Sequence, residues 1–104
     1  PKPIVATPRH ARYPTLVPYG DRALLVWSDD RDNNLGYELY AKTIDQKLQQ
    51  LSPDSRLTRA VGDSIDPIAS LGPSGSVGIM FGDDRDGTGQ VYFTRLECVA
   101  PLTK

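Results

Sequence analysis

Two acidic runs hold most of the residues that could do chemistry. Asp29, Asp30, Arg31 and Asp32 are followed by Asn33 and Asn34, and Asp83, Asp84, Arg85 and Asp86 are followed by Gly87 and Thr88. In each run, oxygen-bearing side chains fall on every second position: Asp30, Asp32 and Asn34, then Asp84, Asp86 and Thr88. A calcium loop spaces its ligands in this way, but it also needs a glutamate at the twelfth position and a helix on either side. Neither is present, and alternating side chains in a hairpin need not converge on one ion. The competing reading is structural. Asp and Asn bond their own neighbouring backbone, and Gly supplies positive φ. Asp29 and Asp83 would then accept bonds from loop amides, and Arg31 and Arg85 would clamp carboxylates or carbonyls between neighbouring units. We expect no metal, with calcium as the alternative. Asp30, Asp32, Asp84 and Asp86 stay as candidate ligand-binding residues, together with Tyr19.

A catalytic centre is harder to assemble. His10 is the only histidine and sits in a loop-like stretch, while the serines are scattered through turns, so a Ser-His-Asp arrangement lacks support. The carboxylate pairs recur with the acidic runs, which a repeat explains better than an acid–base pair does. No glycine-rich loop leads into a helix to cradle phosphate. The expectation is a protein that is not an enzyme. Trp27 and the tyrosines at 13, 19, 37, 40 and 92 could stack on sugars. Trp27, however, is placed in mid-strand as a core filler, and Tyr19, beside Gly20, is the exposed aromatic.

Bulk properties narrow the partners. Twelve basic and 13 acidic residues are interspersed, for a net charge of −1, so no basic stripe tracks a phosphate backbone and nucleic-acid binding is not expected. No apolar run is long enough for a membrane span. Cys98 is alone, which rules out an internal disulfide and a cysteine zinc cluster. It reads as a small side chain on the last strand, or as the partner of a cysteine elsewhere. With no Met at position 1 and no signal-like stretch, the chain reads as excised from a longer one.

The elements that must position these residues come in duplicate. VWSDDRD (26–32) returns as MFGDDRD (80–86), 54 residues on. ELYAKTID (38–45) returns as QVYFTRLE (90–97) at 52, and Tyr13-Pro14 is answered by Asp66-Pro67 at 53. A period near 50 marks stacked supersecondary units. Nine Gly and nine Pro in 104 residues favour short strands and turns. Strands are expected at 13–17, 22–28 (apolar enough to be buried on both faces), 36–44 and 57–61. The second copy supplies 65–71, 76–82 and 90–99, and 44–51 is a loop with at most a helical turn. Residues 3–7 align with 55–59, so the chain opens on the fourth strand of a preceding unit. The expected fold is all-β: two four-stranded antiparallel β-propeller blades, 1–54 and 55–104, with 1–7 completing a neighbouring blade and the last blade lacking its own fourth strand.

The repeated motif resembles the blade repeat of bacterial TolB-like propellers, of the W-x-D-x-R-x-G…DIY type. Its aromatic falls on Trp27 and Phe81, its Asp on Asp29 and Asp83, and its Arg on Arg31 and Arg85. Its hydrophobic-Tyr pair falls on Leu39-Tyr40 and Val91-Tyr92. Phe81 stands where Trp is usual, and Asn33-Asn34 where a single Gly is usual. The resemblance implies a secreted or periplasmic bacterial protein. Two blades would join a six-bladed ring, either by homo-oligomerisation, with a trimer favoured, or within a longer chain. The expected function is a non-catalytic binding or scaffold module for a protein or glycan. The alternatives are a self-assembling lectin and a fragment of a propeller hydrolase whose active site lies elsewhere.

Overall fold

The computed structural model describes residues 3–7, 9–32, 36–59, 62–84 and 89–97. They form two antiparallel sheets. The first runs in the order β1 (Ala11–Tyr19), β2 (Arg22–Asp29), β3 (Glu38–Asp45), β4 (Ser55–Arg56). The second runs in the order β5 (Ser64–Leu71), β6 (Ser76–Asp83), β7 (Gln90–Glu97). Among the described residues the helical content is a single 3-10 turn, Pro73–Gly75, and no helix is long and apolar enough to cross a membrane.

Local chemistry accounts for the hairpins. Tyr19 pairs with Arg22 around Gly20-Asp21, and Gly20 takes the positive φ (58°) that such a tight turn demands. β5 and β6 are joined around Gly72, whose N–H donates to the Ser76 carbonyl at 2.7 Å.

The sheets are equivalent in detail. Each first strand bulges once against its partner, between Arg12 and Thr15 in β1 and between Ile65 and Ile68 in β5. Within the bulges Tyr13 and Asp66 take φ of 57° and 59°, each followed by a proline. Trp27 stacks on Tyr40 at 6.1 Å and 26°, and Phe81 on Tyr92 at 6.1 Å and 24°. One reciprocal clasp closes both sheets at the same end. The His10 N–H donates to Asp30 Oδ1 (2.7 Å) and the Asp30 N–H to the His10 carbonyl (3.1 Å). Asp63 and Asp84 repeat the pattern at 2.6 and 3.2 Å.

Packing is directional. Val17, Leu24, Val26, Leu39 and Ala41 on one face of the first sheet meet Val77, Ile79 and Phe81 on the second. Because β2 and β6 correspond at an offset of 54, Val26 corresponds to Met80 and Trp27 to Phe81. Opposite faces of equivalent sheets are therefore in contact. The sheets approach most closely along β1 and β5. On the outer face of the first sheet, Leu25, Trp27 and Tyr40 form a second cluster with Val5, so β2 is buried on both sides as its composition requires.

Three expectations need correction. Residues 3–7 are not a strand. They cross the outer face of the first sheet, where Val5 packs against the second cluster and the Ile4 carbonyl accepts a hydrogen bond from Lys42 Nζ. The strand expected at 57–61 is the shorter, earlier β4. The Leu57 N–H still reaches the Leu39 carbonyl (2.7 Å), but the Leu39 N–H goes to Thr58 Oγ1 (2.9 Å), so a side chain ends the ladder. Tyr19 is not exposed; it is 5% accessible and belongs to the core between the sheets. The 44–51 loop is a turn in which Asp45 Oδ1 accepts the Lys47 and Gln49 N–H groups. Asn33, Asn34, Arg85, Asp86, Thr88, Cys98 and Val99 lie outside the described residues.

Candidate functional site

The richest polar constellation lies at the hairpin end of β2 and β3. Asp29 ends β2 with its side chain fully buried, a placement that costs free energy unless every lone pair finds a donor. Here they do. Asp29 Oδ2 accepts from Trp27 Nε1 (3.0 Å) and Arg31 Nη2 (2.8 Å); Oδ1 accepts from the Arg31 amide (2.8 Å) and Thr7 Oγ1 (3.3 Å). Burial raises this carboxyl's pKa, but the bonds from Arg31 and Trp27 outweigh it and hold the group below the ordinary aspartate value. Arg31 Nη2 also reaches Asp54 Oδ2 (2.9 Å), and the guanidinium lies 4.5 Å from the Tyr40 ring centroid. Bonding to Asp29, set against partial burial and reinforced by Asp54, raises its pKa. The clamp joins two points of the first unit rather than bridging the two units.

A second layer adjoins it. The Tyr40 hydroxyl donates to Asp32 Oδ2 (2.5 Å), which also accepts from Arg56 Nη1 (2.9 Å). Burial, then the bond to Asp32, pushes the Tyr40 phenol up to about 12. Buried Glu38 accepts from the Thr58 hydroxyl, with Arg56 Nη2 at 3.5 Å. Lys42, also buried, has its ammonium 3.7 Å from Asp54 Oδ1 and 5.9 Å from the Trp27 ring centroid. The network ties the hairpin end of β2 and β3 to the stretch around β4, although Arg31 Nε and Arg56 Nη2 are buried without a hydrogen-bond partner.

The candidate ligand residues are thus separated. Asp30 faces His10 Nδ1 (3.0 Å) and Arg9 (3.7 Å). Burial raises its pKa, but the contacts with His10 and Arg9 lower it further. Asp32 faces Tyr40 and Arg56. Asp83 accepts the Ser64 hydroxyl (2.5 Å). Asp84 lines a cleft of about 450 Å3 with Asp63, Gly89, Gln90 and Val91. The cleft is mostly apolar, and its carboxylates are engaged within the chain: Asp84 Oδ1 accepts the Asp63 N–H and Asp63 Oδ1 the Tyr37 N–H. Among the described residues no three His, Cys, Asp or Glu side chains are gathered as a metal site requires. Phe81 and Trp27 hold equivalent ladder positions, one between the sheets and one on the outer face.

Sequence reasoning missed Asp54, Arg56 and Thr58, which flank or form the short β4. The signal available was the charge at Glu38 and Lys42 on the Tyr40 side of an alternating strand, which demands partners if that side is covered. Fold and site define an all-β protein of two equivalent antiparallel sheets, with a structural ion network at its first hairpin. No family model, no curated protein and no solved structure matches the chain.

Proposed function

We propose that this chain is a non-catalytic β-propeller module, two blades of a ring, that presents its hairpin loops to a protein or glycan partner outside the cytoplasm. One observation carries the reading: equivalent sheets with the same bulge, the same aromatic pair and the same clasp pack opposite faces together, closest at their first strands. Radial repetition of such a step is how propeller rings are built, which is the support it gives this reading. The TolB-like motif residues Trp27, Asp29, Arg31 and Phe81, Asp83, Arg85 serve the hairpins in this reading. Binding falls in this reading to loop carboxylates such as Asp84, which stands at the edge of a mostly apolar cleft at the hairpin end of the second sheet. Screening the labelled chain on a glycan array and against purified surface proteins tests it. The expected result is saturable binding that Asp84→Asn weakens severalfold, with no turnover of ester, phosphate or glycoside substrates. Turnover by the chain, or no binding of either class, contradicts it.

A further inference from the structure

The sheets differ in which of their faces is covered. Ladder register makes Ile68, Met80 and Phe93 of the second sheet the counterparts of Thr15, Val26 and Ala41 of the first, and Val91 the counterpart of Leu39. Val26, Leu39 and Ala41 are buried under the second sheet, whereas Ile68, Met80, Val91 and Phe93 are 66%, 51%, 78% and 66% accessible. Four large apolar side chains on one face form a patch of the kind that marks an interaction surface. The row is built to be lain upon: the Phe93 ring covers Gly78, where an added Cβ would come within 3.0 Å of it.

What covers this row in the first sheet is a face carrying Ile79, Phe81 and Tyr92. The matching residues on the outer face of the first sheet are Leu25, Trp27 and Tyr40, with the ring pair at the same separation. Each chain therefore carries one face of each kind that the other sheet does not cover. We propose that the exposed outer face of the second sheet docks the outer face of the first sheet of a second copy of this chain, head to tail, repeating the contact between the sheets. The inference deepens the propeller reading and rests on it for ring closure, while the pairing of faces rests on the interface within one chain. Leu16, whose counterpart Ala69 packs into the core between the sheets, is already 52% accessible on the donor face. On the rest of that face Val5 packs over Leu25, Trp27 and Tyr40, which are 8%, 1% and 5% accessible, so the docking requires residues 3–7 to leave it.

A heterologous contact uses two different surfaces, one per partner, and this gives a specific test by sedimentation velocity. The full chain is expected to associate increasingly with concentration. Phe93→Asp removes one surface and Leu16→Asp the other, so each variant alone is expected to lose association at least tenfold in affinity. Mixed, they retain one competent pair of faces and form a 1:1 dimer. Leu48→Asp, on an exposed loop, leaves association unchanged, and circular dichroism matching the parent shows that the variants fold. A monomeric parent at every concentration overturns the inference and gives the face to a different partner. A variant that still associates, or a mixture that forms no dimer, overturns it too. A chain that binds glycan or protein yet stays monomeric loses this inference and keeps the function proposed above.

Discussion

The two hairpin ends begin from the same register and reach different solutions. In the first, Asp29 is opposite Glu38, and both carboxylates are buried within a mesh of Arg31, Arg56, Thr58 and Trp27. In the second, Asp83 is opposite Gln90 and takes the hydroxyl of Ser64. Lys42 in the first sheet corresponds to Thr94 in the second. The first unit can bury charge because the stretch around β4 brings Asp54, Arg56 and Thr58 alongside β3. Among the described residues no fourth strand pairs with β7, and the second unit carries neutral Gln90 and Thr94 where the first has Glu38 and Lys42, although it still buries Asp83. A buried ion is tolerable only where its partners are held in place.

The largest expected effects test the packing. Trp27→Ala and Phe81→Ala each empty a large buried site and should cost about 3–5 kcal/mol in urea denaturation. Only Phe81→Ala should also loosen the contact between the sheets, seen as faster amide exchange in β5. Equal loosening by Trp27→Ala would break the comparison.

Next come the carboxylates. Asp29→Asn leaves Arg31 short of its main partner and should cost about 1–3 kcal/mol in urea denaturation. The pH dependence sharpens this. Asp29's folded pKa lies below its unfolded value of 3.8, so its contribution is complete above that value and is lost as pH falls through the folded pKa. Asp29→Asn should flatten the acid limb of stability. A smaller contrast involves glycines. Gly36, at φ 84°, leaves an added Cβ 2.9 Å from the Gly62 carbonyl oxygen, while Gly89 leaves it nothing within 4 Å. Gly36→Ala should cost about 1–3 kcal/mol and Gly89→Ala within about 0.5 kcal/mol of nothing.

The smallest effect is at Tyr40. Its phenol is raised from 10.0 to about 12, so its contribution is intact below pH 10 and lost as pH rises through 12. Tyr40→Phe should cost about 1 kcal/mol at neutral pH and remove that alkaline loss, followed by thermal unfolding between pH 8 and 12.

Six of the seven strands were legible because hydrophobic periodicity and the duplicated DDRD turn both report local structure. The matched Tyr13-Pro14 and Asp66-Pro67 fall at the two bulges, which the repeat aligned without indicating that the strands bulge there. Residues 3–7 misled because an extended, proline-flanked apolar stretch reads alike whether it pairs in a sheet or lies across one. Tyr19 misled because the turn residue beside it says nothing of where the ring points; packing from the second sheet decides that. The Arg31–Asp54 bridge spans loops that sequence spacing does not relate.

The central claim is that equivalent sheets pack opposite faces together. Nuclear Overhauser contacts in the labelled chain test it most directly. The account predicts contacts from the Phe81 ring to the Val26 and Leu39 methyls, and none from the Trp27 indole to Val77 or Ile79. Contacts from Trp27 to Val77 and Ile79, placing like faces together, would contradict it.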